Sequence, residues 1–243
     1  MLRTIYRIAC RSNNNIIHSL HTPAPLYRCL KDVCAAGPWR IIGKSRGMCS
    51  SKPISRYPIP NKEKLDPDMK TRMDEVEEKT KFVPNVFKAL AHRPDEFRAF
   101  FDYYDALMMK ETGSLTKADK ELIVIATSAY NNCQYCVVSH SALHRIFSKN
   151  PIIADQVAVS WECSDIDDRQ KAMLEFAMVV CKSEPVTEAH FEALEKHGFD
   201  REDAWDIGAI TALFALSNRM AHLTSMRPNE EFHLMGRLPK KVK

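Results

Sequence analysis

Apolar residues recur along most of the chain three or four positions apart, the interval that lines one face of an α-helix. The clearest stretch follows Pro94, where Phe97, Phe100, Phe101, Tyr104, Leu107 and Met108 form a stripe that ends before Gly113. This spacing predicts a helix over 95–110 whose aromatic stripe belongs to the core, with Gly113 as its terminating residue. Prolines mark where other helices begin. Pro67 opens a charged surface helix to about Lys81, and Pro84 falls in the first turn of a short helix over 85–91, where its missing N–H leaves no bond unmade. Thr116 has Asp119 three positions on, a near capping box for a helix running to about Asn131. Leu122 to Ala126 are continuously apolar and could form a strand, but length and cap favour a buried helix. Further helices are predicted over 133–149, 151–161, from Asp165 or Asp167 to Lys182, over 188–197, and from Asp200 to about Leu223. The sum is an all-α domain of about eight or nine helices.

Glycine content narrows the alternatives. The 243 residues include seven glycines, of which only Gly113, Gly198, Gly208 and Gly236 lie beyond residue 56. A Gly-rich phosphate loop cannot be written with so few, and repeated tight hairpins are equally disfavoured. No uncharged apolar run reaches the roughly 18 residues that a membrane-spanning helix needs.

Charge divides the chain. Residues 1–56 hold ten basic side chains against one acid, Asp32, a balance of +9 that leaves −5 for residues 57–243 of a protein whose net charge is +4. On a helix, Leu2, Ile5, Tyr6 and Ala9 share a face beside Arg3, Arg7 and Arg11. An Arg-rich, acid-poor leader of that kind has the composition of a mitochondrial transit peptide, with cleavage expected between Ala35 and Arg56 and delivery to the matrix. The mildly acidic remainder gives no electrostatic case for nucleic-acid binding. Cys10, Cys29, Cys34 and Cys49 would leave with such a leader, while Cys133, Cys136, Cys163 and Cys181 stay. Cys163 and Cys181, standing alone, are expected to be buried and inert.

Cys133 and Cys136 carry the strongest chemical signal. At about 100° per residue, Cys133, Cys136, His140 and His144 all point to one narrow face of a helix. Cys133 is expected in the first turn, where free N–H groups and the dipole favour a thiolate. Cys-x-x-Cys thiols so placed commonly titrate between about 3.5 and 7.5. A buried inert pair, a zinc site built on Cys133, Cys136 and His140, and a redox-active dithiol all use these residues. Zinc would need further ligands from a second cluster, and His190, His197 and His222 are scattered along the chain. Haem attachment would need a histidine at the position of Val137.

Glu121, Cys133, Cys136 and His140 together spell Glu-x11-Cys-x2-Cys-x3-His. This resembles the signature of the alkylhydroperoxidase D-like, or carboxymuconolactone decarboxylase-like, all-α superfamily. The flanking Phe82-Val83-Pro84-Asn85-Val86-Phe87 and Lys120-Glu121-Leu122 look like its peroxidase-related branch, and the resemblance extends over about residues 57–235. It implies a thiol peroxidase that needs no cofactor, in which a hydroperoxide oxidises Cys136 to a sulfenic acid. Cys133 then resolves it, Glu121 and His140 relay protons, and an external dithiol such as thioredoxin or a lipoyl group restores the pair. The helix-terminus argument instead makes Cys133 the more acidic thiol. The chain lacks a histidine that the better-known bacterial type carries near its second cysteine; Tyr135 stands just before Cys136. A dithiol–disulfide adaptor or redox sensor would use the same cysteines. Decarboxylase chemistry belongs to superfamily members without the cysteine pair.

Assembly is the remaining expectation. Leu122 to Ala126 is apolar throughout and residues 207–216 carry no charge. Helices hydrophobic on all sides are buried within their fold or against another subunit, so a homo-oligomer is expected.

Overall fold

The computed structural model of the protein describes residues 52–237. The expected targeting leader, except for its last few residues, lies outside the described residues, as do its four cysteines. Nine α-helices make up the described chain, which contains no strand: α1 (Pro67–Thr80), α2 (Asn85–Leu90), α3 (Pro94–Met108), α4 (Lys117–Tyr130), α5 (Gln134–Ser148), α6 (Ile153–Ser160), α7 (Asp168–Cys181), α8 (Glu188–Glu195) and α9 (Arg201–Thr224). None of the described helices is long and apolar enough to cross a membrane.

The centre of the fold is α4. Thr116 and Asp119 form a complete capping box at its start: the Asp119 N–H donates to Thr116 Oγ1 at 3.0 Å and the Thr116 N–H to Asp119 Oδ2 at 3.1 Å. Leu122, Ile123, Val124 and Ile125 are fully buried. Each contributes about 1.5–3 kcal/mol by leaving water, an upper bound because the unfolded chain already hides some of that surface. Helices α5, α6, α7 and α9 surround α4. Its all-round apolar character is therefore satisfied within its own chain, and that half of the argument for an oligomer falls away. α9 differs, because it leaves Trp205, Leu216 and Leu223 exposed.

A smaller core joins α1, α2 and α3. Met69 and Met73 of α1 are buried, so this helix has an inner face despite its charge. Phe87 stacks on Phe101 with ring centroids 4.1 Å apart, and Phe97 tilts against Phe101 at 4.6 Å. The aromatic stripe is core, as its spacing predicts. Pro84 stands one position earlier than expected, as the N-cap of α2.

Buried Lys120 ties α4 to the end of α3. Its ammonium donates to the Leu107 carbonyl at 2.9 Å and the Lys110 carbonyl at 2.6 Å, filling acceptors that a helix C-terminus leaves open. Burial draws its pKa below the ordinary lysine value. Glu121, its neighbour, thereby enters the fold at the end of α4 that the capping box and Lys120 hold in place.

Candidate active site

The turn between α4 and α5 sets the site. Asn132 adopts φ 55°, a left-handed conformation that asparagine tolerates better than most residues. The chain then reverses, and the Cys133 N–H donates to the Ser128 carbonyl at 2.9 Å. Cys133 is the N-cap of α5, one position outside the first turn in which the sequence placed it. Its sulfur is the capping acceptor, receiving the Cys136 N–H at 3.4 Å. Serine or aspartate usually fills this role with oxygen.

Both thiols are free, and each is only 1% exposed. Their environments differ. The Cys136 S–H and backbone N–H both point at the Cys133 sulfur, and with His222 nearby they bring its pKa down to about 6 against the opposing effect of burial. Cys136 moves the other way, because it supplies its proton to Cys133 and is itself buried. Cys133 is thus the more acidic thiol of the pair.

His140 lies one turn beyond Cys136 on the same buried face. Its Nδ1 lies 2.5 Å from Glu121 Oε2, reaching across from α5 to α4. With Nδ1–H donated to the carboxylate, Nε2 is the nitrogen free to exchange a proton. The Phe214 ring of α9 stands edge-on to the imidazole at 4.6 Å and shields it from water. Glu121 is 3% exposed, which rules out a surface carboxylate. The fold therefore brings the two thiols together at the start of α5, and joins His140 of the same helix to Glu121 of α4.

Other residues fall outside this arrangement. Tyr135 is buried, but its hydroxyl accepts the Val86 N–H at 3.0 Å and serves to anchor α2. His144 shares the helix face, yet burial lowers its pKa to about 4 and leaves it neutral, with Ser148 as its neighbour. Cys181 is half-buried, and desolvation pushes its thiol up. Cys163 corrects the expectation of burial: it is exposed, in a short 3-10 turn after α6 that offers no apolar cover.

Sequence reasoning passed over two residues of α9. Ser217 Oγ lies 3.7 Å from Cys136 Sγ, and the neighbouring Asn218 is buried and donates to Ser128 Oγ at 2.9 Å, in the turn that leads to Cys133. A polar Ser-Asn pair set in the apolar run Leu213-Phe214-Ala215-Leu216 was the available signal. Ser217 also lines a cavity of about 710 Å³ between α3 and α9, whose other walls include Val86, Phe100, Leu213, Leu216 and Met220.

Known proteins share this architecture. The carboxymuconolactone decarboxylase family matches residues 94–154. A crystal structure described as the AhpD core of an alkylhydroperoxidase, an uncharacterized peroxidase-related protein from Ralstonia eutropha JMP134, is 62% identical. Its TM-score is 0.76, and the match covers 77% of this chain and 99% of that one. An uncharacterized peroxidase-related protein from Silicibacter sp. TM1040 is 34% identical with a TM-score of 0.73, covering 79% of this chain and 100% of the other. The debrominase Bmp8, at 19% identity and a TM-score of 0.61 over 75% of this chain and 95% of its own, shares the fold. No curated protein matches the chain in sequence. The helical fold and the extent of identity with peroxidase-related proteins establish that the chain belongs to the AhpD-like, carboxymuconolactone decarboxylase superfamily.

Proposed function

We propose that the protein is a thiol-dependent peroxidase acting through Cys133 and Cys136, with Glu121 and His140 as its proton relay. The observation that carries this reading is the placement of two buried thiols at the start of α5, one helical turn from a buried histidine–carboxylate pair. Its relatives, described as peroxidase-related, support it.

Cys136 is the sulfur nearer the cavity, through Ser217. It passes its proton to the Cys133 thiolate, and its sulfur bonds to the terminal oxygen of the hydroperoxide. The O–O bond breaks, and the departing oxygen takes that proton from the Cys133 thiol, restoring its thiolate, and leaves as alcohol or water. Cys136 is then a sulfenic acid. The Cys133 thiolate attacks it, the S–S bond forms, and the expelled hydroxide is protonated by His140 to leave as water. An external dithiol reduces the disulfide by exchange and is itself oxidised.

Burial of both sulfurs favours this reading over a dithiol adaptor. Exchange with a partner protein's cysteine requires a sulfur that the partner can approach in line, and each of these is 1% exposed. A hydroperoxide is small enough to enter, and a slender lipoyl-type arm suits the return step better than a broad protein surface. Mixing the reduced protein with a hydroperoxide is expected to consume both Cys133 and Cys136 within seconds, as mapped by mass spectrometry. Thiols that persist while the same protein exchanges with disulfides would favour the adaptor.

The charge division of the chain motivates a mitochondrial location. Residues 1–60 fused to a reporter are expected to carry it into mitochondria, and a diffuse cytosolic signal would refute the assignment.

A further inference from the structure

Two neighbouring side chains of α9 reach the start of α5, Ser217 at Cys136 and Asn218 at the turn before Cys133. Asn218 is 1% exposed and locked from both ends. Asn131 Nδ2 donates to its Oδ1 at 3.0 Å, and its own Nδ2 donates to Ser128 Oγ at 2.9 Å. An amide nitrogen carries two hydrogens. One of them is committed to Ser128, so Asn218 is fixed against the turn that leads into α5. The residues that lock it, Ser128 and Asn131, also build the turn that presents Cys133, since the Ser128 carbonyl holds the Cys133 N–H.

Ser217 does something different with the same helix turn. Its hydroxyl is 3.7 Å from Cys136 Sγ and forms part of the cavity wall, where most of its neighbours are apolar. A hydroxyl can donate and accept at once, so it can touch the sulfur and a second polar group together. A hydroperoxide entering along Leu213, Leu216 and Met220 meets that hydroxyl just as it reaches Cys136.

We propose that Ser217 and Asn218 form a second polar arm of the thiol site, Asn218 fixing the turn that presents Cys133 and Ser217 presenting the hydroperoxide oxygens to Cys136. Asn218 is a positioning residue that acts on Cys133 through Ser128 and Asn131. Ser217 touches the reacting atoms, steadying the departing oxygen while the sulfur–oxygen bond forms and the O–O bond breaks. The Ser217 half rests on the peroxidase reading; the Asn218 half does not.

The test uses the full reduced protein. Thiolate absorbance is titrated without any peroxide, and stopped-flow oxidation is followed with cumene hydroperoxide. Asn218→Asp keeps the shape and the acceptor but removes the amide hydrogens and adds like charge. It is expected to move the thiolate midpoint upward by about one pH unit or more. Ser217→Ala is expected to slow oxidation about ten-fold or more with the midpoint unmoved, and Ser217→Thr to recover most of the rate. An Asn218→Asp protein that folds and titrates like the parent overturns the Asn218 role. A Ser217→Ala protein oxidised at the parental rate overturns the Ser217 role. If Asn218→Asp fails to fold, the Ser217→Ala and Ser217→Thr pair decides the arm alone. A parent that titrates as described but ignores hydroperoxide fails the peroxidase reading while leaving the Asn218 result intact.

Discussion

Replacing Cys136 by serine is expected to lower hydroperoxide turnover by at least about ten-thousand-fold, because removing a covalent nucleophile can cost about a million-fold. Serine keeps the hydrogen bond toward the Cys133 sulfur but cannot form a sulfenic acid. Cys133→Ser should behave differently. Cys136 can still be oxidised once, but nothing resolves it, so the protein stops after a single equivalent with a sulfenic acid that dimedone can trap. If instead Cys133→Ser abolishes the first oxidation and Cys136→Ser permits it, the two sulfurs have exchanged roles. Acidity adds an independent mark. The Cys133 pKa is lowered to about 6, so the thiolate that receives the Cys136 proton is present above that pH and lost below it. First-turnover rate should therefore rise through about pH 6 and level off by neutrality. Cys133→Ser should erase that step.

Glu121 is the second position where a large effect is expected. Glu121→Gln preserves volume and an acceptor for the His140 Nδ1–H, but withdraws the charge that makes His140 a competent proton donor and acceptor. Turnover should fall about a hundred-fold while the fold persists, the usual scale for a general acid–base contribution. Glu121→Ala goes further. It leaves His140 buried at 7% exposure without its partner, opens space beside α4, and should destabilise the protein by about 3 kcal/mol. Urea denaturation followed by circular dichroism separates the two variants. A Glu121→Gln enzyme with parental turnover would remove the relay from the mechanism.

Much of this was written in the sequence. The helix order and the cap at Thr116 follow from residue spacing and local hydrogen bonding, which act over a few residues and need no tertiary information. Spacing left the α7 cap between Asp165 and Asp167, and Asp167 holds it. Glu121 and His140 were legible as a pair only through the family resemblance, because their contact joins two helices across 19 positions. Ser217 lies 81 positions from Cys136, and no local pattern reports an approach set by how α9 packs on α5. The burial of Cys163 was misjudged for a related reason. Cysteine's general tendency to be buried says nothing about a turn that ends on the surface.

The sulfur that caps α5 gives the redox couple a mechanical bias. An acceptor at an N-cap stabilises its helix by about 1 kcal/mol, and here that acceptor is strongest as a thiolate. Forming a bond to Cys136 takes the negative charge away, so the oxidised protein holds the start of α5 less firmly than the reduced one. By thermodynamic linkage, the fold itself draws electrons toward the pair. The reduction potential should sit on the oxidising side of an ordinary structural disulfide, as in other helix-terminal dithiols whose reduced form is the stabilised one. Such a couple is readily returned to the dithiol by a mild donor, and α5 serves as the spring that resets it.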